Sequence, residues 1–413
     1  MTDERLTTRE ALSGRKGVAL IMVLTVVTIL TVISVEFQYE SRVYLQTVAN
    51  FRDRQRAYYL AKSGVEFTRL ILYLQSTVDR LIRQYWKNNP PNIQLWQMIP
   101  IDSDLARAVA GGMFSAQDQE SLFEGTVAGQ GLKEDEEESV AEKNMQQMQT
   151  VSFAQGEGFG EFEGHFHAEV IDEESKINVN IRPNNYKEVN TMKATLESLF
   201  TPEMYNPVFE NPDKDGQYHD RQEIISAIID WIDPDNTRTG FESGDESSRY
   251  DFLDDTYPSK NHLFDSLDEL QLVAGIDDRF WRLFGDQFTV YRTGRININT
   301  AQIEVLRALL EQYLLKPLPA EQEMQRILDA ILDFRLQNSG FWNEDAFVSF
   351  LTEGPELILE LENGPQGKTA LRSAITVQSG VFTVKASGDI NGVMREIRVV
   401  MTKDGHLLYY REN

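Results

Sequence analysis

Hydrophobic and polar positions change their period along this chain, and each change marks a different kind of element. From Val18 to Val35 there is no period: 18 consecutive residues are uncharged, most of them Val, Ile, Leu and Thr. At about 1.5 Å rise per residue, a helix of that length nearly spans the roughly 30 Å hydrocarbon core of a bilayer. The β-branched Val, Ile and Thr are poor helix formers in water, but in lipid the helix satisfies every backbone polar group. Arg15 and Lys16 stand just before the run, which predicts a cytoplasmic tail and an exported remainder. From Glu36 to Leu74 apolar positions recur at helical spacing, with no Pro and only Gly64 as a glycine. One helix, half in lipid and half amphipathic, is therefore expected over residues 18–75.

Residues 76–157 are less regular. Helical pieces are broken at Pro90-Pro91, and 123–148 is a low-complexity stretch containing Lys133-Glu134-Asp135-Glu136-Glu137-Glu138. It has too few apolar residues to bury and is expected to be a disordered loop. Over 158–180 the period becomes two, with Phe162, Gly164, Phe166, Ala168 and Val170 alternating with polar residues, as in a strand. His165 and His167 share one face of it, and without a third ligand they read as surface residues. The period of two returns over 373–413, where Gly388-Asp389-Ile390-Asn391-Gly392 and Lys403-Asp404-Gly405 read as hairpin turns. These strands are expected to make one antiparallel sheet packed on the first helix.

Between the strands lies an internal duplication. Ser175-Lys176-Ile177-Asn178-Val179-Asn180 is echoed by Gly294-Arg295-Ile296-Asn297-Ile298-Asn299. Each copy is followed by a first helical run from Lys193 or Ile303. A second run follows (Ile224 to Trp231, or Ile327 to Phe334), then a third element opening on Phe264 or Phe341. Two helical modules, 181–293 and 294–372, follow from this repeat. The asparagines are read as ending each strand and capping the helix after it.

Composition narrows the chemistry. Hydrophobic residues make up 41% of the 413, enough for real cores, and there is no Cys, which excludes disulfides and thiolate chemistry. A net charge of -25 makes nucleic acid an unsuitable partner. No nucleophile motif such as G-x-S-x-G is present, so no enzyme is expected.

The order Arg15-Lys16, then Gly17, then the apolar run resembles the signal of type IV pilins and pseudopilins. The passage from Gln55 to Glu66, with Ala57, Ala61 and Gly64, resembles the small-residue segment of their long first helix. The resemblance implies cleavage between Gly17 and Val18 by a prepilin peptidase, so that 1–17 is a leader. It also implies methylation of the new N-terminus. Met22 occupies the position where most pilins carry Glu, which is the mark of the K-type minor pseudopilins of type II secretion. Burying an unpartnered carboxylate in lipid is costly, so its absence fits a subunit with none above it. The implied fold class is α+β: a pilin-like head, with a long N-terminal helix on a small antiparallel sheet. A large all-α insertion of two SAM-like or helix-hairpin-helix-like modules completes it. The implied partners are the I- and J-type minor pseudopilins, the major pseudopilin and the inner membrane, with the head in the periplasm. A minor pilin of a type IV pilus, or a membrane-anchored calcium-binding periplasmic protein, is the alternative.

Between Asp230 and Asp255 there are nine carboxylates against two arginines. Asp233, Asp235, Glu242, Asp245 and Glu246 can converge on a hard cation, since Ca²⁺ takes six to eight oxygens in irregular geometry. The loop departs from an EF-hand: Arg238 and Gly244 stand where that motif needs Gly and Glu. From the residues alone a solvated acidic loop is the alternative. The family resemblance implies structural Ca²⁺ in this loop.

Overall fold

The computed structural model describes residues 4–86, 90–110, 163–213, 216–240, 244–251, 253, 256–291, 294–354 and 357–413. The low-complexity stretch 123–148 and its expected disorder lie outside the described residues, as does Glu242. Helix α1 (Glu4–Tyr85) is a single run of 82 residues. It extends ten residues beyond the expected end at 75, because no helix breaker occurs before Pro90-Pro91 and Arg83 favours the last turn.

After α1 come α2 (Leu95–Met98), β1 (Ile101–Asp102), α3 (Ser103–Ala110) and β2 (His165–Asp172). The first helical unit holds β3 (Ile177–Asn178), α4 (Tyr186–Phe200), α5 (Asn206–Glu210), α6 (Arg221–Ile232), α7 (Asp278–Phe284) and β4 (Phe288–Thr289). The second holds β5 (Ile296–Asn297), α8 (Ile303–Tyr313), α9 (Glu321–Asn338), α10 (Glu344–Glu353), α11 (Pro365–Ala374) and β6 (Ile375–Thr376). The chain closes with β7 (Val381–Ile390), β8 (Val393–Thr402) and β9 (Leu407–Glu412).

The head is one antiparallel sheet in the order β1-β2-β7-β8-β9, with α1 across it. Ala57, Leu60, Ala61 and Val65 of α1 are buried against it, with Phe166, Ala168, Val384, Ala386 and Ile397 from the strands. Gly388 is a correction to the turn reading. It lies inside β7, where a Cβ would come 2.1 Å from the Ala57 carbonyl oxygen. It is the point of closest approach of strand and helix, and the turn itself is Asn391-Gly392, both at positive φ (53° and 78°). The segment before β1 completes the same layer: Trp96 stacks edge-on against Phe382 with centroids 5.3 Å apart.

The duplication is visible in three dimensions. Each unit is closed by a two-residue parallel pairing of its first and last strands, β3 with β4 and β5 with β6. The asparagines of the repeat do not cap the following helices. α4 is capped by Asn185, and α8 starts after Gln302 with no side-chain cap. Asn180 instead accepts from Phe264 N and donates to Phe264 O and Val290 O, each at 2.8 Å. Asn299 accepts from Phe341 N (2.7 Å) and donates to Phe341 O (2.9 Å) and Val377 O (3.3 Å). Trp231 stacks on Phe264 and Phe334 on Phe341 in the same relation. One apolar core runs through both units, with α4 packed on α8. Asp172, at the end of β2, joins units to sheet by accepting from Asn297 Nδ2, Thr300 Oγ1 and Ser379 Oγ.

Candidate metal centre

Helix α6 carries an unbroken buried face, Ile224 to Ile232, and opens with a capping box between Asp220 and Glu223. Asp230 is part of that buried face, and Asp233 is the C-cap, its N–H donating to Ile229 O. The chain then turns back through a short antiparallel bridge, Thr237 with Asp245. Arg238 N donates to Gly244 O at 3.0 Å, and Glu246 N to Asn236 O at 3.4 Å. This return brings Glu246, 1% exposed, to Asp230 and Asp233, with one oxygen from each of the three within 4.8 Å of the others.

The three carboxylates differ in how they are satisfied. Asp230 accepts from Thr239 N (2.7 Å) and from Arg249 Nη2 (3.1 Å). Asp233 Oδ1 and both oxygens of Glu246 are buried without a hydrogen-bond donor. A buried acceptor with no donor is costly, more so when charged. The electrostatics follow: burial and then the nearby Asp235 and Asp230 push Asp233 up to about 6. Burial followed by Asp233, Asp230 and Asp235 pushes Glu246 up to about 8. Asp230 is raised by burial, against which Thr239 and Arg249 act. Buried, orphaned and convergent carboxylate oxygens fit a hard divalent cation, which would supply the missing positive charge.

Of the residues singled out from sequence, Asp233 and Glu246 meet. Asp235 lies close enough to raise both of them, but its Oδ1 accepts from Thr237 N at 2.7 Å. Asp245 accepts from Ser247 N at 2.9 Å and caps the 3-10 turn Glu246–Arg249. Glu242 lies outside the described residues. Asp230, the third member of the cluster, is not among the residues singled out from sequence. The signal for it in the sequence is an acid set inside the largely apolar run Ile224–Ile232, where a solvated acid has no place.

At the other end of the molecule, Gly17 and Val18 lie on the helical backbone of α1. Met22 is 65% exposed within the apolar stretch. Among the described residues α1 is the helix long and apolar enough to cross a membrane, and that part of it is not buried in the protein.

Residues 213–292, which hold all three carboxylates, match the family model described as Type II secretion system (T2SS), protein K. Over this segment the chain is similar to protein K of type II secretion. The Type II secretion system protein K of Pseudomonas aeruginosa PAO1 is 28% identical over 137 residues, which is 32% of this chain and 37% of that protein. The chain thus matches little more than a third of that relative's length. A solved structure, the GspK-GspI-GspJ complex of the enterotoxigenic Escherichia coli Type 2 Secretion System, aligns with a TM-score of 0.42 and 17% identity. That alignment covers 62% of this chain and 82% of the other.

Proposed function

We propose that this protein K relative is a minor pseudopilin of type II secretion. It is a structural subunit that is processed at Gly17-Val18 and helps to start and cap the pseudopilus. The observation that carries the reading is the design of α1. Its first part is apolar and exposed, and its second part seats a small sheet on Ala57, Ala61 and Gly64. Between these parts, Phe37, Tyr44, Val48 and Phe51 remain exposed on one face of the helix, a row that needs neighbouring helices in an assembly. The I- and J-type minor pseudopilins and the major pseudopilin are the partners that supply them. The two helical units are best read as SAM-like copies carried by the pilin-like head, with a structural rather than catalytic role. The head is placed in the periplasm.

In the same reading the cation of the acidic loop is Ca²⁺, held by Asp230, Asp233 and Glu246 with Asp235 beside them. Its role is to neutralise carboxylates that no basic side chain fully offsets. N-terminal sequencing of the membrane-purified protein tests the central step. A mature start at Val18, abolished by replacing Gly17 with a bulky residue, is expected. A chain that keeps residue 1, or one cleaved beyond Ser34, overturns the pseudopilin reading.

A further inference from the structure

A cleft of about 660 Å³ opens between the two helical units, and its walls come from matching stations of the duplicated sequence. Lys176, Ile177 and Asn178 line it from the first copy, and Gly294, Arg295 and Ile296 from the second. Lys176 and Arg295 are the same position of the repeat, so the pairing of the units brings both basic residues into one space. Arg182 and Lys187 add two more, and Glu188 is the single acid of the lining. A surface four to one in favour of base stands out on a chain of net charge -25.

Not all of these charges are committed. Lys176 is buried on Glu173 at 2.8 Å, and Arg182 is paired with Glu188. Lys187 makes no ion pair among the described residues, and Arg295 reaches Glu344 only at 3.7 Å with its side chain 57% exposed. Ile177, Ile181, Met192 and Leu309 give the lining an apolar base beneath the charges.

From these features we infer that the inter-unit cleft binds a carboxylate-rich segment of another protein. Lys187 and Arg295 select for acidic side chains, and the apolar lining accepts the residues between them. The proposal stands on the cleft alone and does not depend on the pseudopilin reading or on the cation site.

The test uses full-length protein in detergent with calcium present. It is titrated into a fluorescein-labelled peptide of alternating Glu and Val and, separately, into one of alternating Lys and Val. Anisotropy should show saturable binding of the acidic peptide only, weakening as salt shortens the screening length. Lys187→Glu and Arg295→Glu should each weaken it about threefold, and together about tenfold or more. Lys62→Glu on the exposed face of α1 should leave binding unchanged, and all variants should melt as the wild type does. Absence of acidic-peptide binding, equal binding of the Lys peptide, or unaltered binding by the double variant overturns the proposal.

Discussion

The two helical units are copies of one scaffold, and among the described residues only the first carries a carboxylate cluster. In both, an asparagine reaches from the entry strand to pin the backbone of a distant phenylalanine. In both, an aromatic residue of the second helix stacks on that phenylalanine. Between the stacked pair the first unit runs through 232–263, while the second closes through 335–340 alone. The brace fixes both ends of this connection, so the unit tolerates a long loop there without losing its core. Asp230 of the first unit corresponds to Asp333 of the second, one step before the stacking aromatic. Asp230 is buried beneath its loop, and Asp333 is exposed because nothing covers it. The same residue type thus serves as a candidate ligand in one copy and a solvated surface charge in the other. The difference lies in the loop.

If the asparagine brace is the shared feature, breaking it should cost the same in both copies. Asn180→Ala and Asn299→Ala each remove three hydrogen bonds and leave buried backbone groups without partners. A loss of about 3 kcal/mol each is expected, read as lower denaturant midpoints in calcium-loaded protein. A cost confined to one copy would show that the second brace is a relic of sequence without an energetic role.

That comparison also marks where the sequence was legible. The long helix, the antiparallel sheet on it and the duplication all follow from local periodicity, which is written in neighbouring residues. The role of the asparagines does not. Their partners lie 84 and 42 residues away, and a short polar residue after a strand reads locally as a helix cap. Gly388 reads locally as a turn glycine because close helix approach and turn formation ask for the same residue. Asp230 stands near a helix end, where an acid normally faces water, and it is the return of the loop that buries it. The extra length of α1 was written in the absence of a breaker before Pro90.

A second contrast separates the copies through the cation. Calcium bound only to the folded state stabilises it by RT ln(1 + [L]/Kd), about 2.7 kcal/mol at a hundredfold excess over Kd. The wild-type protein is therefore expected to melt higher in millimolar calcium than in chelator. Asp230→Asn, or Asp233→Ala with Asp235→Ala, should remove most of that rise, whereas Asp333→Asn at the matching site should keep it. Superimposed melting curves with calcium and with chelator, in the wild type, would return the loop to a solvated acidic segment.

The smallest effect expected concerns pH, and it sharpens the contrast because only the first unit carries the raised carboxylates of the cluster. Glu246 lies at about 8 against an ordinary 4.5, and Asp233 at about 6 against 3.8. In ion-free protein the folded state holds protons that the unfolded chain has released. The stability this contributes is fully present below the ordinary carboxylate range and is lost as pH rises toward 8. In chelator, stability should accordingly fall between about pH 5 and pH 8. Protons and cation compete for the same oxygens, so apparent calcium affinity should rise across that window, by at most about tenfold per pH unit for each proton displaced. Glu174, raised to about 7 by burial and then by Asp172, acts in the same direction at the joint with the sheet. The informative quantity is therefore the difference between wild type and Glu246→Gln, measured as the calcium-induced rise in Tm at each pH. That rise should grow with pH in the wild type and be small and flat in the variant. A wild-type rise that stays constant from pH 5 to pH 8 would mean that Glu246 releases no proton when calcium binds, and so does not ligate it.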